Sequence, residues 1–186
     1  MAKGHSPPED PMADALPVLN PFRPILSQEE AETAAQTGAV GSFLVAAYSL
    51  LHVFIVMTDV DGFVARARAA VDTRQMDPHT AQLALSMIGP GTVKAVATSG
   101  VIYAVVFIAL GLFQWVRNGR LLSLILMALA AWSLFGNVRA LGEASPAATG
   151  LPLWFSVVGA GFTAIALCLY VAGYRGGAWL AKNEAT

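Results

Sequence analysis

His52 stands in an uncharged stretch, AAYSLLHVFIVMT, with Tyr48 one helical turn before it, Ser49 beside Tyr48, and Asp59 two turns after it. Spacings of four and seven bring Tyr48, His52 and Asp59 to roughly one helix face. An imidazole in this setting has four roles open to it. It can ligate haem or a metal, pass protons, recognise a polar group of a ligand, or form hydrogen bonds across a helix bundle as a neutral structural group.

The composition weighs these roles. A metal site needs several ligands, and haem needs a histidine at one or both axial positions. The other histidines, His5 and His79, lie in a tail and in a loop, so ligation would need a second subunit. We expect no metal and no cofactor. A proton relay wants Asp, Glu or His in chains, and the four apolar cores of this chain hold no acid. Recognition of a headgroup, quinone or small ligand by Tyr48, Ser49 and His52 remains open. The reading we adopt is structural: a neutral imidazole bonded across the bundle to Tyr103, Gln114, Ser133, Asn137, Thr163 or Tyr170. With no Ser–His–acid set in one layer, no cluster of metal ligands and no nucleotide loop, a catalytic site is not expected.

The elements that must position His52 follow from where charge is absent. Of 186 residues, 12% are charged, about half of what covers a water-soluble domain. The mean hydropathy is +0.60. No Asp, Glu, Lys or Arg occurs from Thr33 to Thr58, Ala95 to Val116, Leu121 to Val138, or Ala144 to Tyr174. About 20 apolar residues at about 1.5 Å rise cross a hydrocarbon core of about 30 Å. The expected fold is therefore an all-α four-transmembrane-helix bundle, with helices at about 39–58, 95–116, 121–138 and 153–174. Residues 27–186 form the membrane domain and 59–94 a helical extramembrane loop.

Residues 1–26 read as a Pro-rich tail that drapes along the protein or the lipid headgroups, or docks a partner. No basic region followed by an apolar one marks a cleavable signal peptide there. Ser27 with Glu30 reads as a capping box opening the first helix, and Gly38 offers a hinge. In the loop, Asp77 and Pro78 open a short helix whose Leu83, Met87 and Ile88 share a face, the pattern of a helix lying in the membrane interface. Gly89-Pro90-Gly91 ends it. Arg117-Asn118-Gly119-Arg120 is a tight turn, which makes the second and third membrane helices antiparallel neighbours.

Basic residues place both termini in the cytoplasm, six against five, with Arg117 and Arg120 in a short hairpin carrying most weight. The net charge of −1 gives no basic stripe for nucleic acid. Small residues every fourth position mark close-packing stripes: Ser156, Ala160, Ala164, Cys168 and Ala172 on the fourth helix, Gly38, Ser42 and Ala46 on the first. Cys168 is expected to be a packing residue there. Trp115, Trp154 and Trp179 read as interfacial anchors and Trp132 as a packing residue.

The run FQWVRNGRLLSLILMALAAWSLFG, followed after a loop by GLPLWFSVVGAGFTAIALCLYV, resembles uncharacterised small bacterial integral membrane proteins with four transmembrane helices. The likeness covers the last half of the chain. It implies the fold and the cell inner membrane as location, and it carries no reaction. The small multidrug-resistance transporters also have four helices, but carry a membrane-embedded glutamate in the first helix, where this chain has His52. We expect a non-enzymatic structural, binding or accessory subunit acting through its helix faces and the 59–94 loop. Its partners are the lipid bilayer and either a membrane protein or further copies of itself. The alternative is a small oligomeric transporter or channel. If His52 is structural, His52→Gln, which keeps a donor and an acceptor, leaves the stability in detergent, followed by thermal unfolding, unchanged within about 0.5 kcal/mol.

Overall fold

The computed structural model describes residues 24–73, 77–142 and 151–183. The expected tail lies almost wholly outside these residues, as does most of the link before the last helix. Six α-helices follow one another: α1 Gln28–Thr58, α2 Val60–Thr73, α3 Pro78–Met87, α4 Pro90–Arg117, α5 Arg120–Gly142 and α6 Leu153–Asn183. Among the described residues every element is helical. Helices α1, α4, α5 and α6 are long and apolar enough to cross a membrane. They outrun the uncharged windows at several ends.

Local chemistry sets the boundaries. Ser27 Oγ accepts the Glu30 N–H at 3.2 Å. Glu30 returns its carboxylate to the Leu26 N–H at 2.8 Å, one residue short of the expected box. Asp77 caps α3 by accepting from the His79 and Thr80 N–H groups. Hydrogen bonding from Thr80 leads in holding its carboxyl below the usual range. Thr92 in the first turn of α4 accepts the Gly89 N–H and donates to the Met87 carbonyl. Asn118 takes the left-handed conformation, φ 47°, that Asn tolerates well and the tight turn requires.

The four long helices form an open arc in the order α4, α1, α6, α5. The α1–α6 seam runs antiparallel and depends on glycine at its lower end. A Cβ on Gly173 would stand 2.9 Å from the Gly38 Cα, and one on Gly176 would strike the backbone of Ala31 and Ala35. Gly38 is thus a close-contact point inside an unbroken helix, not a hinge. Along α4, Phe43 of α1 seats on Gly111 and Val53 on Gly100. Gly177 admits the turn, bringing α6 beside Asn118 and Arg120. The start of α1, the α4–α5 turn and the end of α6 therefore share one end of the bundle, where Glu32, Arg117, Arg120 and Leu180 line one hollow.

The face α6 buries is Phe155, Gly159, Thr163, Ala166, Tyr170, Gly173, Gly177 and Leu180, an alternation of four and three. The expected stripe departs from it. Each step of four overshoots a full turn by about 40°, so five positions swing about 160° round the helix. Ala172 is buried, Ser156, Ala160 and Ala164 are half-buried, and Cys168 is exposed on the outer face. Gly38, Ser42 and Ala46, over only two steps, are all buried. Trp132, expected to pack, is 77% exposed.

At the other end, α2 folds back. Phe63 joins Val56, Val93, Leu151 and Phe155 in a small core. Asp59 is outside the helix: it accepts from the Gly62 N–H and pairs with Arg66 at 3.0 Å, so it does not reach toward His52. Helix α3 buries none of its residues, and Leu83 and Met87 point outward.

The seam assigns opposite fates to two glycines of α6. Gly176→Ala forces backbone apart and should destabilise by about 1–3 kcal/mol. Gly161, with open space at its Cβ position, should gain up to about 1 kcal/mol on the same change. Thermal unfolding of both variants in one detergent makes the comparison; equal effects would contradict the seam.

Candidate functional site

Helices α4 and α5 leave their two-residue turn together and then part. Near the turn, Gln114 and Ser123 are equidistant from it, and Gln114 Nε2 donates to Ser123 Oγ at 2.8 Å. It also donates to the Ala35 carbonyl of α1 at 3.4 Å. Gln114 is fully buried, and its Oε1 has no partner among the described residues. This amide ties three helices at the closed end of the bundle and so is unavailable to His52. One turn and more beyond it, Phe107, Leu126 and Ala130 still meet through side chains. Farther on, the α4 and α5 backbones do not approach. The expected antiparallel neighbours are joined by the turn but do not pack along each other, because α4 follows α1 while α5 follows α6.

The α1–α6 seam changes along its length. Its lower end meets through Gly38, Gly173 and Gly176, with the Tyr170 ring against Gly41 above them. The upper half holds the Tyr48 ring, which lies over Gly159 and stacks on Phe155 at 4.9 Å with Phe162 at 5.6 Å.

Against this seam lies a cavity of about 520 Å³, the size of a small-molecule site. Its floor is the α1–α6 seam, where Ser49, Thr163 and Tyr170 are buried; its mouth lies between α4 and α5, where Ser99, Tyr103, Leu129 and Ser133 are exposed. The three residues picked from sequence, Tyr48, Ser49 and His52, all line it. Their hydrogen-bonding capacity differs. Ser49 Oγ donates back to the Val45 carbonyl at 2.9 Å, as serines inside helices do. Tyr48 Oη donates to the Phe155 carbonyl at 3.4 Å. Thr163 donates to Gly159 O, and Tyr170 Oη pairs with Ser42 Oγ at 3.3 Å.

His52 differs from the structural reading. Its ring sits 5.5 Å from Phe155, and it makes no hydrogen bond among the described residues. The cavity face takes the place of the expected cross-bundle partner. Ser99, Tyr103 and Ser133 likewise make none there, while the Tyr103 ring lies tilted against Phe107 at 4.6 Å. Sequence reasoning named Tyr103 and Ser133 but passed over Ser99 and Thr92. The signal was present, since Thr92, Ser99 and Tyr103 at spacings of seven and four share one face of α4.

Among the described residues, no three His, Cys, Asp or Glu side chains gather at a metal-sized site, and no charged side chain lines the cavity. What the arrangement offers is apolar walls, aromatic faces and four uncommitted polar groups. No protein-family model matches the chain, and no curated protein or solved structure matches it.

The parting can be measured with spin labels on outward positions equidistant from the turn. Val116 with Leu121 marks the closed end and Ile102 with Phe135 the open end; all four are exposed. In the full-length protein in lipid, double electron–electron resonance should give a longer mean distance for the second pair. Equal distances would mean parallel helices and a closed mouth.

Proposed function

We propose that the chain is a multi-pass membrane protein that works by binding within the bilayer, as a non-enzymatic component, with the α4–α5 cleft as its site. The membrane setting rests on exposure. No more than 33% of any of the four apolar windows is buried inside the protein, and for α5 the share is 17%. Val116, Phe54, Phe135 and Val105 stand outward, uncovered by the described residues. Water would penalise that surface heavily; hydrocarbon suits it. The cytoplasmic, or inner, membrane of a bacterium is the setting we assign, with the Arg117–Arg120 end inward.

The observation that carries the binding role is the pairing of an open apolar cleft with His52, a polar group left without a partner on its floor. Such a group inside a membrane protein costs free energy unless something satisfies it. Helix α3, with Leu83 and Met87 outward, lies in the interface beside the open end on this reading. The Gln114–Ser123 tie and the glycine seam weigh against a pore within one chain.

Lipid analysis of the protein purified in mild detergent tests the proposal. One extractable species should be retained near one per chain, and Ser133→Trp at the exposed mouth should reduce it several-fold without changing the unfolding midpoint. A lipid profile matching the bulk membrane, unaltered by that change, would refute it.

A further inference from the structure

The shape, polarity and charge of the cleft narrow its occupant. On α4 the lining residues run from Thr92 to Phe107, about 22 Å along the helix axis. The cavity of about 520 Å³ is the scale of one small molecule, and over that height a long, thin molecule suits it.

Polarity is graded along that length. His52 and Ser99 stand toward the open end, with Tyr103 and Ser133 below them; Phe107, Leu126 and Tyr170 close the lower end. One end suits a polar head and the other a hydrocarbon chain. The head must be neutral, because no charged side chain among the described residues lines the cleft and an unpaired charge there would be costly. His52, Ser99, Tyr103 and Ser133 each bring an N–H or O–H not spent on the protein, so carbonyl acceptors on the head match them. The aromatic faces of His52 and Tyr103 favour a flat head that can stack.

We infer that the cleft takes a prenylquinone-class lipid: a neutral, flat, carbonyl-bearing ring on one apolar chain, entering sideways from the bilayer between α4 and α5. The ring sits against His52 with a carbonyl oxygen accepting from its imidazole N–H, and the chain descends toward Phe107 and Leu126. This inference rests on the cleft being a binding site, as proposed above. It adds the ligand's chemical class and the route of entry.

Native mass spectrometry of the full-length protein in mild detergent separates the two claims. The probes are decylubiquinone and, as a neutral lipid with two chains and no ring, dioleoylglycerol. Decylubiquinone should form a one-to-one adduct, and dioleoylglycerol should bind about tenfold more weakly or less. His52→Phe removes the donor and should weaken the quinone adduct about tenfold. His52→Gln keeps a donor and should retain affinity within about threefold. Ser133→Trp, at the exposed mouth, should also abolish or weaken the adduct at least about tenfold without depending on the histidine. Equal or tighter binding of dioleoylglycerol overturns the ligand class and leaves the binding role standing. A quinone adduct indifferent to both His52→Phe and Ser133→Trp lies outside the cleft and overturns the inference. No adduct with either probe overturns the inference and the binding role together.

Discussion

The close approach of α1 and α6 through Gly38, Gly173 and Gly176 is the constraint on which the rest of the bundle depends. Between helices in lipid there is little hydrophobic attraction, so van der Waals contact and hydrogen bonds hold the bundle. A glycine seam brings backbones near enough for such contact to count. Its hydrogens leave room for the Ala31 and Ala35 backbone, where a single methyl group would collide. Once α1 and α6 are fixed, α4 is set by Phe43 and Val53 lodging on its glycines, and α5 by Gly173 and Gly177 of α6 against Ser123 and Arg120. The two-residue turn between α4 and α5 joins helices whose packing partners lie on opposite sides of the arc.

The cleft lies against the same seam. Tyr48 and Phe162 of that seam line it, and Gln114 and Ser123 tie α4 to α5 at the closed end. At the open end no described residue fills the gap, and the polar groups of His52, Ser99, Tyr103 and Ser133 are left facing it.

Much of this was legible in sequence. Four uncharged windows specified four helices long and apolar enough to cross a membrane, because hydrocarbon excludes charge and fixes length. Asp77-Pro78, Ser27 and Asn118-Gly119 marked helix starts and the turn through chemistry confined to a few residues. Tyr48, Ser49 and His52 reach one cavity because a helix period alone places them together. The remainder depended on sums over several helices. Which face of α6 is buried could not be read from a strict four-residue count, since that count precesses round the helix and carried Cys168 to the outside. Trp132 looked central by depth, yet depth does not decide rotation about the helix axis. The separation of α4 from α5 needed the positions of α1 and α6, which no property of the Arg117–Arg120 turn contains. His52 faces the cavity and makes no bond to Tyr103 or Ser133, which line the same cavity.

A cryo-electron microscopy structure of the full-length protein in a lipid nanodisc tests the account most directly. The account predicts α4 and α5 touching at Gln114 and Ser123, apart at Tyr103 and Ser133, with one elongated density lying between them against His52. Helices α4 and α5 packed together along their whole length, with His52 bonded across a closed bundle, would contradict it.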